Sequence, residues 1–466
     1  MPAENRASDD SVPDRPLEPV PRGIGTAGPM WWWVMPRRLR ENRLARHPLV
    51  AKLAGRFQLA DLATTVGTQG LTVALQAVHS IMLARMLGAE GRGEYSTVMY
   101  YSQLLVYTGL MGTLFSIARR AARATVDLLG LSRAAVRVGL ATGIGCMTVV
   151  VLLALWALPA EKAYLAPWVI AATAVLPLEQ MRLALLAVDH GAANFGRYNV
   201  NRIIAAAVFP LLLGLAWLLG LKSLSVVVAL AVISPGVGLL FLLRTHRWLP
   251  PGNDEQPRVG TLIHEGAPYA LSAFATQLLS RLDGLLVLWL VALSVQGYYA
   301  VAVSVANLLL VGPNAFALFS FNAGARTERS HSGKMLVGTA GGVLLLQIVS
   351  GGVLALIVGP MMGLVFGSEF LGAVPLILAL LPGFALDGLG IFAQGYLRGR
   401  GKPLIGMWAR FIGAAVMLLL VWLTFDRYGP IAIPISVSVA NAVCALLMVT
   451  AVAADWYREG KAPPNP

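Results

Sequence analysis

From Asp61 onward the chain is a succession of apolar runs separated by short polar connections. A helix rising 1.5 Å per residue needs about 20 residues to cross the ~30 Å hydrocarbon core of a bilayer. Twelve runs of about that length are predicted as helices, at 61–84, 95–117, 136–158, 164–186, 202–220, 223–243, 266–292, 298–322, 336–357, 372–396, 404–424 and 430–453. The fifth and sixth are parted only by Gly-Leu-Lys-Ser-Leu. No alternating strand pattern competes with them. The pattern therefore predicts an all-α membrane protein of about twelve transmembrane helices.

The residues before the first run differ in kind. MPAENRASDDSVPDRPLEPVPRG is rich in Pro and charge and nearly free of apolar side chains, which predicts a disordered tail. It lacks the basic start, apolar stretch and small-residue cleavage site of a signal peptide. Trp31, Trp32 and Trp33 then precede a dense Arg cluster. Two readings stay open for this stretch: an interfacial segment set against anionic membrane lipids, or a basic cytosolic tail that holds orientation.

Lys and Arg distribute unequally between alternate connections. One set carries Arg119, Arg120, Arg123, Arg133 and Arg137, then Arg197, then Arg244, Arg247 and Arg258, then Arg326, Arg329 and Lys334, then Arg398, Arg400 and Lys402. The other set has only Arg85, Arg92, Lys162, Lys222 and Arg427. Basic residues mark the cytoplasmic side, so an even number of spans puts both termini in the cytoplasm. The contrast is weakest early, where Arg197 stands alone inside and Arg85 and Arg92 lie outside. The outer connections are too short to hold a catalytic domain. The longest inner one contains Pro-Pro-Gly and reads as a linker. The expected organisation is a tail over 1–58, an N-terminal six-helix bundle over 59–243, a linker over 244–265, a C-terminal bundle over 266–453 and a short tail over 454–466.

A repeat supports that division. GEYSTVMYYSQLLVYTGLMGTLFS at 93–116 lies 204 positions before GYYAVAVSVANLLLVGPNAFALFS at 297–320, and Gly93, Tyr95, Leu104, Leu105, Leu114, Phe115 and Ser116 recur at that offset. Two six-helix halves run parallel, related by an axis along the membrane normal, as in transporters that open alternately to each side.

Composition agrees with hydrocarbon as the solvent. The 466 residues are 57% hydrophobic and only 13% charged, with mean hydropathy +0.69, whereas soluble chains carry about 25% charged residues. The two cysteines, Cys146 and Cys444, sit far apart in apolar runs and make neither a disulfide framework nor a metal cluster; they read as packing residues.

IMLARMLGAEGRGEYSTVMYYSQL, RLDGLLVLWLVALSVQGYYAVAVSVANLLLVGPNAFALFSF and YLRGRGKPLIGMWARFIGAAVML resemble the O-antigen and exopolysaccharide repeat-unit flippases, a family of the multidrug/oligosaccharidyl-lipid/polysaccharide exporter superfamily. The resemblance spans about residues 59–453, and its most specific parts are Leu-Gly-x-x-x-x-Gly-x-Tyr at Leu87–Tyr95 and Gln-Gly-Tyr-Tyr at Gln296–Tyr299. It implies two bundles around a central cavity in a bacterial cytoplasmic membrane. It also implies movement of a polyprenyl-diphosphate-linked oligosaccharide between leaflets, with a polysaccharide polymerase as a partner. Neither a cofactor, a metal, a nucleic acid nor catalysis is implied. The tail matches nothing in the family pattern.

Charges inside the runs are the candidate chemistry. An ionised group at bilayer depth costs about 2.5–3.5 kcal/mol and turns toward a cavity or a partner. Arg281 and Asp283 lie in one run, about 200° apart on a 3.6-residue helix, so each needs its own partner on another helix. For Asp283 that means a fixed basic group or a proton that comes and goes. His79 precedes Asp283 by the repeat offset of 204, and Glu179, Arg182, Arg202, Asp387 and Arg410 complete the set. Arg281, Arg410, Arg202 and Arg182 are candidates to bind a diphosphate, since Arg pairs with phosphate oxygens in bidentate fashion. Asp283, His79 and Asp387 are candidates for ion coupling. Packing roles stay open for all of them, as does snorkelling for Arg182 and Arg202 near expected helix ends. A cation-coupled multidrug exporter of the same superfamily is the nearest alternative, and it would place more carboxylates than arginines in its cavity. A major-facilitator transporter lacks support because the second connection has no Gly-x-x-x-Asp-Arg turn. A membrane-embedded polymerase or glycosyltransferase would need a large outer loop or an acidic nucleotide-sugar motif, and the sequence has neither.

Overall fold

The computed structural model describes residues 48–110, 112–123, 127–249, 257–325 and 332–461. Met1–Ala63 and Thr64–Pro466 form two units; the second holds everything discussed below. The tail expected over 1–58, with its Trp run, lies outside the described residues up to position 47, as do 250–256 of the linker and Arg326 and Arg329.

The chain is helical throughout its described length, and helices replace the twelve runs nearly one for one. In order they are α1 (Pro48–Thr108), α2 (Thr113–Ala121), α3 (Leu128–Trp156), α4 (Ala166–Ala172), α5 (Val175–Gly191), α6 (Phe195–Leu218), α7 (Leu224–His246), α8 (Val259–Leu290), α9 (Leu293–Ala306), α10 (Val311–Ala325), α11 (Ser332–Met361), α12 (Val374–Gly399), α13 (Pro403–Tyr428) and α14 (Ala432–Lys461). Among the described residues eight stretches are long and apolar enough to cross a membrane, and the bent pair Ala160–Ala172 and Val175–Gly191 makes nine. Two of the eight, Gly67–Thr108 with 42 residues and Pro403–Tyr457 with 55, are too long for one crossing. Each is interrupted by a glycine with positive φ, Gly88 and Gly429, a conformation that costs a residue with a Cβ far more. Dividing both, and adding the 32-residue α8, gives the twelve passes.

Helix boundaries shift where capping decides them. Asp127 accepts from Gly130 N at 2.9 Å and starts α3 eight residues before the predicted 136. The Asn194 side chain accepts from Arg197 N and starts α6 at Phe195, so Arg202 sits two turns inside its helix rather than at its start. α8 begins at Val259 within the expected linker without a side-chain cap, and α14 runs on to Lys461 into the expected C-terminal tail.

The apolar core divides between two bundles. One buried cluster runs from Leu279 to Met448 and reaches into the N-terminal half only through Ala84 and Ala89. Another runs from Leu83 to Ala231 and includes Leu288 of α8. α8 is the seam, packing on α13 of its own half and on α2 of the other. Because the passes alternate in direction, one end of the molecule carries the Gly88 break and the α8–α9 connection, and the other carries the linker.

At the Gly88 end the halves are joined reciprocally. A methyl group placed on Gly93 would fall on the carbonyl of Leu293, and one placed on Gly297 would fall on the carbonyl of Ala89. These contacts map onto each other under the repeat offset of 204, so the sequence repeat is a two-fold crossing of helices in space. Charged side chains close around it. Lys162, only 3% exposed, donates to the carbonyls of Leu288 (2.5 Å) and Val291 (3.0 Å) and to Gln296 Oε1 (2.9 Å). It satisfies carbonyls that the end of α8 leaves unpaired, on the side where the helix dipole favours a cation. Thr97 donates to the same Gln296 oxygen at 3.1 Å. Arg85 donates to the carbonyls of Leu364 and Val365, and Glu369 accepts from Ala89 N at 2.8 Å. Arg92, 6% exposed, lies over the Tyr95 ring at 5.5 Å. The weak early Lys/Arg contrast thus has a structural cause: Arg92 and Lys162 are buried inside the protein, and Arg85, though exposed, is tied to the carbonyls of Leu364 and Val365.

At the linker end Ser116 donates to Leu262 O at 2.9 Å, and Arg120 grips Glu265 through both guanidinium arms, Nε to Oε2 at 2.8 Å. The Arg120 bond holds the Glu265 carboxyl below the usual carboxylate range. A depressed carboxyl contributes stability at higher pH and loses it as pH falls through its folded value. The thermal-stability gap between wild type and Glu265→Gln is expected to be small and constant from about pH 6 to 8 and to shrink on acidification, the pair being part-exposed.

Candidate functional site

A cavity of about 1010 Å³ opens among α1, the second pass, α5, α6 and α7, with Arg281 of α8 and Asn314 of α10 reaching in from the other half. Its lining extends to Ala118, His190 and Tyr198 near the linker end but goes no further than His79, Met99 and Phe209 toward the Gly88 end. The joint described above seals that side. The volume stands at the top of the roughly 300–1,000 Å³ range of small-molecule pockets, so the space suits a large polar head group.

Four of the seven sequence candidates meet here: Arg182, Arg202, Arg281 and His79. Arg182 is 7% exposed and fully occupied: Nε donates to Glu179 Oε2 at 2.8 Å, Nη2 to the other oxygen, and Nη1 to Asn201 Oδ1 at 2.9 Å. Asn201 in turn donates to Gly238 O at 2.8 Å, which ties α5, α6 and α7 together. Arg202 donates to Gln69 on α1 and lies 5.6 Å over the Tyr198 ring. Arg281 donates to Gln103 Oε1 at 3.2 Å, and its own carbonyl accepts from Tyr100. Arg202 and Arg281 therefore have neutral hydrogen-bond partners, and the carboxylate of Asp283 lies within electrostatic reach of Arg281. Among the lining residues three guanidiniums face one carboxylate, Glu179. A charge-assisted bond from Arg to phosphate or carboxylate is roughly twice as strong as a neutral one. His79 packs against Phe209 at 5.4 Å, and Tyr95 stacks on the same Phe209 at 6.3 Å.

The remaining three lie elsewhere. Arg410 on α13 and Asp387 on α12 contact each other at 2.9 Å inside the C-terminal bundle, with side chains 8% and 13% exposed. Arg410 does not line the cavity with Arg281; a carboxylate one helix away compensates it. Asp283 accepts from Tyr299 Oη at 2.7 Å. Its partner is on another helix, as the 200° argument requires, but it is a phenol rather than a base. Tyr95 and Tyr299 are repeat equivalents, as are His79 and Asp283; Tyr299 bonds Asp283 directly, whereas Tyr95 and His79 both pack on Phe209. Both cysteines are free, Cys146 beside Gln180 and Cys444 donating to Ala409 O at 3.1 Å.

Sequence reading missed several lining residues. Gln69, Thr72 and Gln76 precede His79 at helical spacing, a signal that was present but hidden by attention to charge. Gln103 and Tyr107 carried no comparable mark, and the partners of Lys162 lie 126 to 134 residues away.

The fold is that of the MOP-superfamily transporters. A multidrug resistance MATE family transporter in an inward-facing conformation aligns with TM-score 0.68 and 13% identity, covering 84% of this chain and 96% of that one. The lipid II flippase MurJ in an inward closed conformation aligns with TM-score 0.65 and 13% identity, covering 85% and 87%. A MOP superfamily transporter from Pyrococcus furiosus, described for a binding pocket of reverse polarity, aligns with TM-score 0.58 and 13% identity, covering 86% and 96%. No curated protein sequence matches significantly. The chain belongs to the polysaccharide biosynthesis protein family, whose sequence profile matches residues 59–321. It is a multi-pass membrane protein with the fold of a transporter.

Proposed function

We propose that the chain flips a polyprenyl-diphosphate-linked oligosaccharide from the inner to the outer leaflet of a bacterial cytoplasmic membrane, by alternating access and without catalysis of its own. The observation that carries this reading is the cavity with three arginines and a single carboxylate. A diphosphate carries about two negative charges, and two guanidiniums in excess match it; a cationic drug would be repelled from the same lining. Membership of the polysaccharide biosynthesis family and the likeness to a lipid II flippase support the cargo class. With both termini cytoplasmic, as the Lys/Arg bias favours, the linker end faces the cytoplasm and the cavity is open to the leaflet in which such lipids are made. The joint around Gly93, Gly297 and Lys162 is then the outer gate, which opens to release the cargo. A dianion leaving a negatively charged interior gains about 2.3 kcal/mol per charge per 100 mV, so the membrane potential alone suffices as a driving force. The C-terminal pair Arg410–Asp387 keeps the bundle neutral, and Asp283 and His79 are the groups left for ion coupling.

The test is depletion in the native host. Loss of the chain should trap lipid-linked oligosaccharide in the inner leaflet, where a membrane-impermeant glycosidase added outside does not reach it. Unchanged surface exposure of that lipid, with drug sensitivity increased instead, would favour the multidrug exporter.

A further inference from the structure

Gln69, Thr72, Gln76 and His79 follow one another at spacings of three, four and three, so they occupy one face of the first pass, and all four line the cavity. The stripe is about 15 Å long at 1.5 Å per residue. Anion binding accounts for only part of it. The Gln69 carbonyl serves Arg202, and the Thr72 hydroxyl donates to Thr68 O at 2.8 Å. Gln76 is exposed and bonds to no described residue, although an amide inside a membrane bundle normally finds a partner. Elsewhere in the lining, Gln103 accepts from Arg281 through its oxygen, which leaves its two N–H donors free to point into the cavity. One turn further along the same pass, Tyr107 shows 45% of its surface.

We infer that Gln76, Gln103 and Tyr107 form a neutral subsite that reads the sugars of the cargo, beside the arginines that hold its diphosphate. The inference rests on the proposed function. Sugar hydroxyls both donate and accept, and an amide offers both in one group; a phenol adds a hydroxyl and an apolar face for the C–H side of a pyranose. The diphosphate is common to every lipid of this class, so charge cannot distinguish one glycan from another. A site whose donors and acceptors match particular hydroxyls can, because a cargo lacking them forfeits those bonds.

The experiment is direct binding by the full chain in nanodiscs of two probes, polyprenyl diphosphate without sugar and the lipid-linked oligosaccharide extracted from the native host. Wild type should bind the sugar-bearing lipid more tightly, on the order of tenfold. Gln76→Met together with Tyr107→Leu should remove that preference and leave affinity for the bare lipid unchanged. Gln76→Met alone, expected to lose part of it, serves if the pair does not fold. Arg281→Gln should weaken both probes alike. If the Gln76 and Tyr107 variants keep the wild-type ratio while Arg281→Gln still weakens both probes, the subsite is wrong and the proposed function stands. If wild type binds neither probe, both fall.

Discussion

Lys162→Met is expected to shift the resting chain toward an outward-open state and to abolish productive export, although Lys162 touches neither the cavity nor its lining. Its ammonium is buried on two carbonyls at the end of α8 and on Gln296. Met fills similar space but leaves the Leu288 and Val291 carbonyls without this donor, and Gln296 with only Thr97. A hydrogen bond from a charged group contributes about 1.5–3 kcal/mol, and losing even one of the three moves a conformer ratio about tenfold or more. In the open state those acceptors reach water, so the loss falls on the closed state alone. Spin labels at Leu221→Cys and Leu371→Cys, both exposed near the Gly88 end, in a background without Cys146 and Cys444, should report a longer distance in Lys162→Met than in the parent. An unchanged distance distribution would mean that the joint is static packing and not a gate. Lys162→Arg should restore closure only partly, since a planar fork cannot reproduce three converging bonds from one nitrogen.

The second large effect concerns stability. Arg410→Gln strands Asp387 in the C-terminal bundle, and removing one partner of a buried pair costs about 3–5 kcal/mol. Membrane abundance should collapse, and Asp387→Asn in the same chain should recover much of it. Arg281→Gln breaks no ion pair, because Arg281 is bonded to the neutral Gln103 and Asp283 keeps the Tyr299 hydroxyl, so that variant should accumulate normally while failing in export. Equal abundance of the Arg410 and Arg281 variants would contradict the assignment of one to packing and the other to the cavity.

These two arginines show how far the sequence could be read. Both stand out as charges in apolar runs, and nothing local separates them; the difference lies in Asp387, on a helix that only tertiary packing brings beside Arg410. The twelve passes were legible because hydrocarbon enforces a length and a composition on each span. The repeat was legible too, and Gly93 and Gly297 are the positions where the two halves touch most closely. The motifs that carry the family resemblance, Leu87–Tyr95 and Gln296–Tyr299, lie at that joint rather than in the cavity. The cavity itself was half visible. Its arginines announce themselves by their cost in a membrane, whereas Gln76, Gln103 and Tyr107 cost little and need no compensating pattern. Lys162 was read as an outer-loop charge because its three acceptors are distant in sequence.

The central claim is that the guanidiniums of this cavity hold an anionic lipid head group, and its most direct measurement is transbilayer movement of lipid-linked oligosaccharide in proteoliposomes. Wild type should be compared with a chain carrying Arg202→Gln and Arg281→Gln, both reconstituted at equal amounts and with an imposed potential. The account predicts rapid translocation by wild type, faster as the destination side is made more positive, and a loss of on the order of a hundredfold or more in the double variant, at about 1.5–3 kcal/mol per charged contact. Wild-type translocation rates in the double variant, with the same dependence on potential, would contradict it.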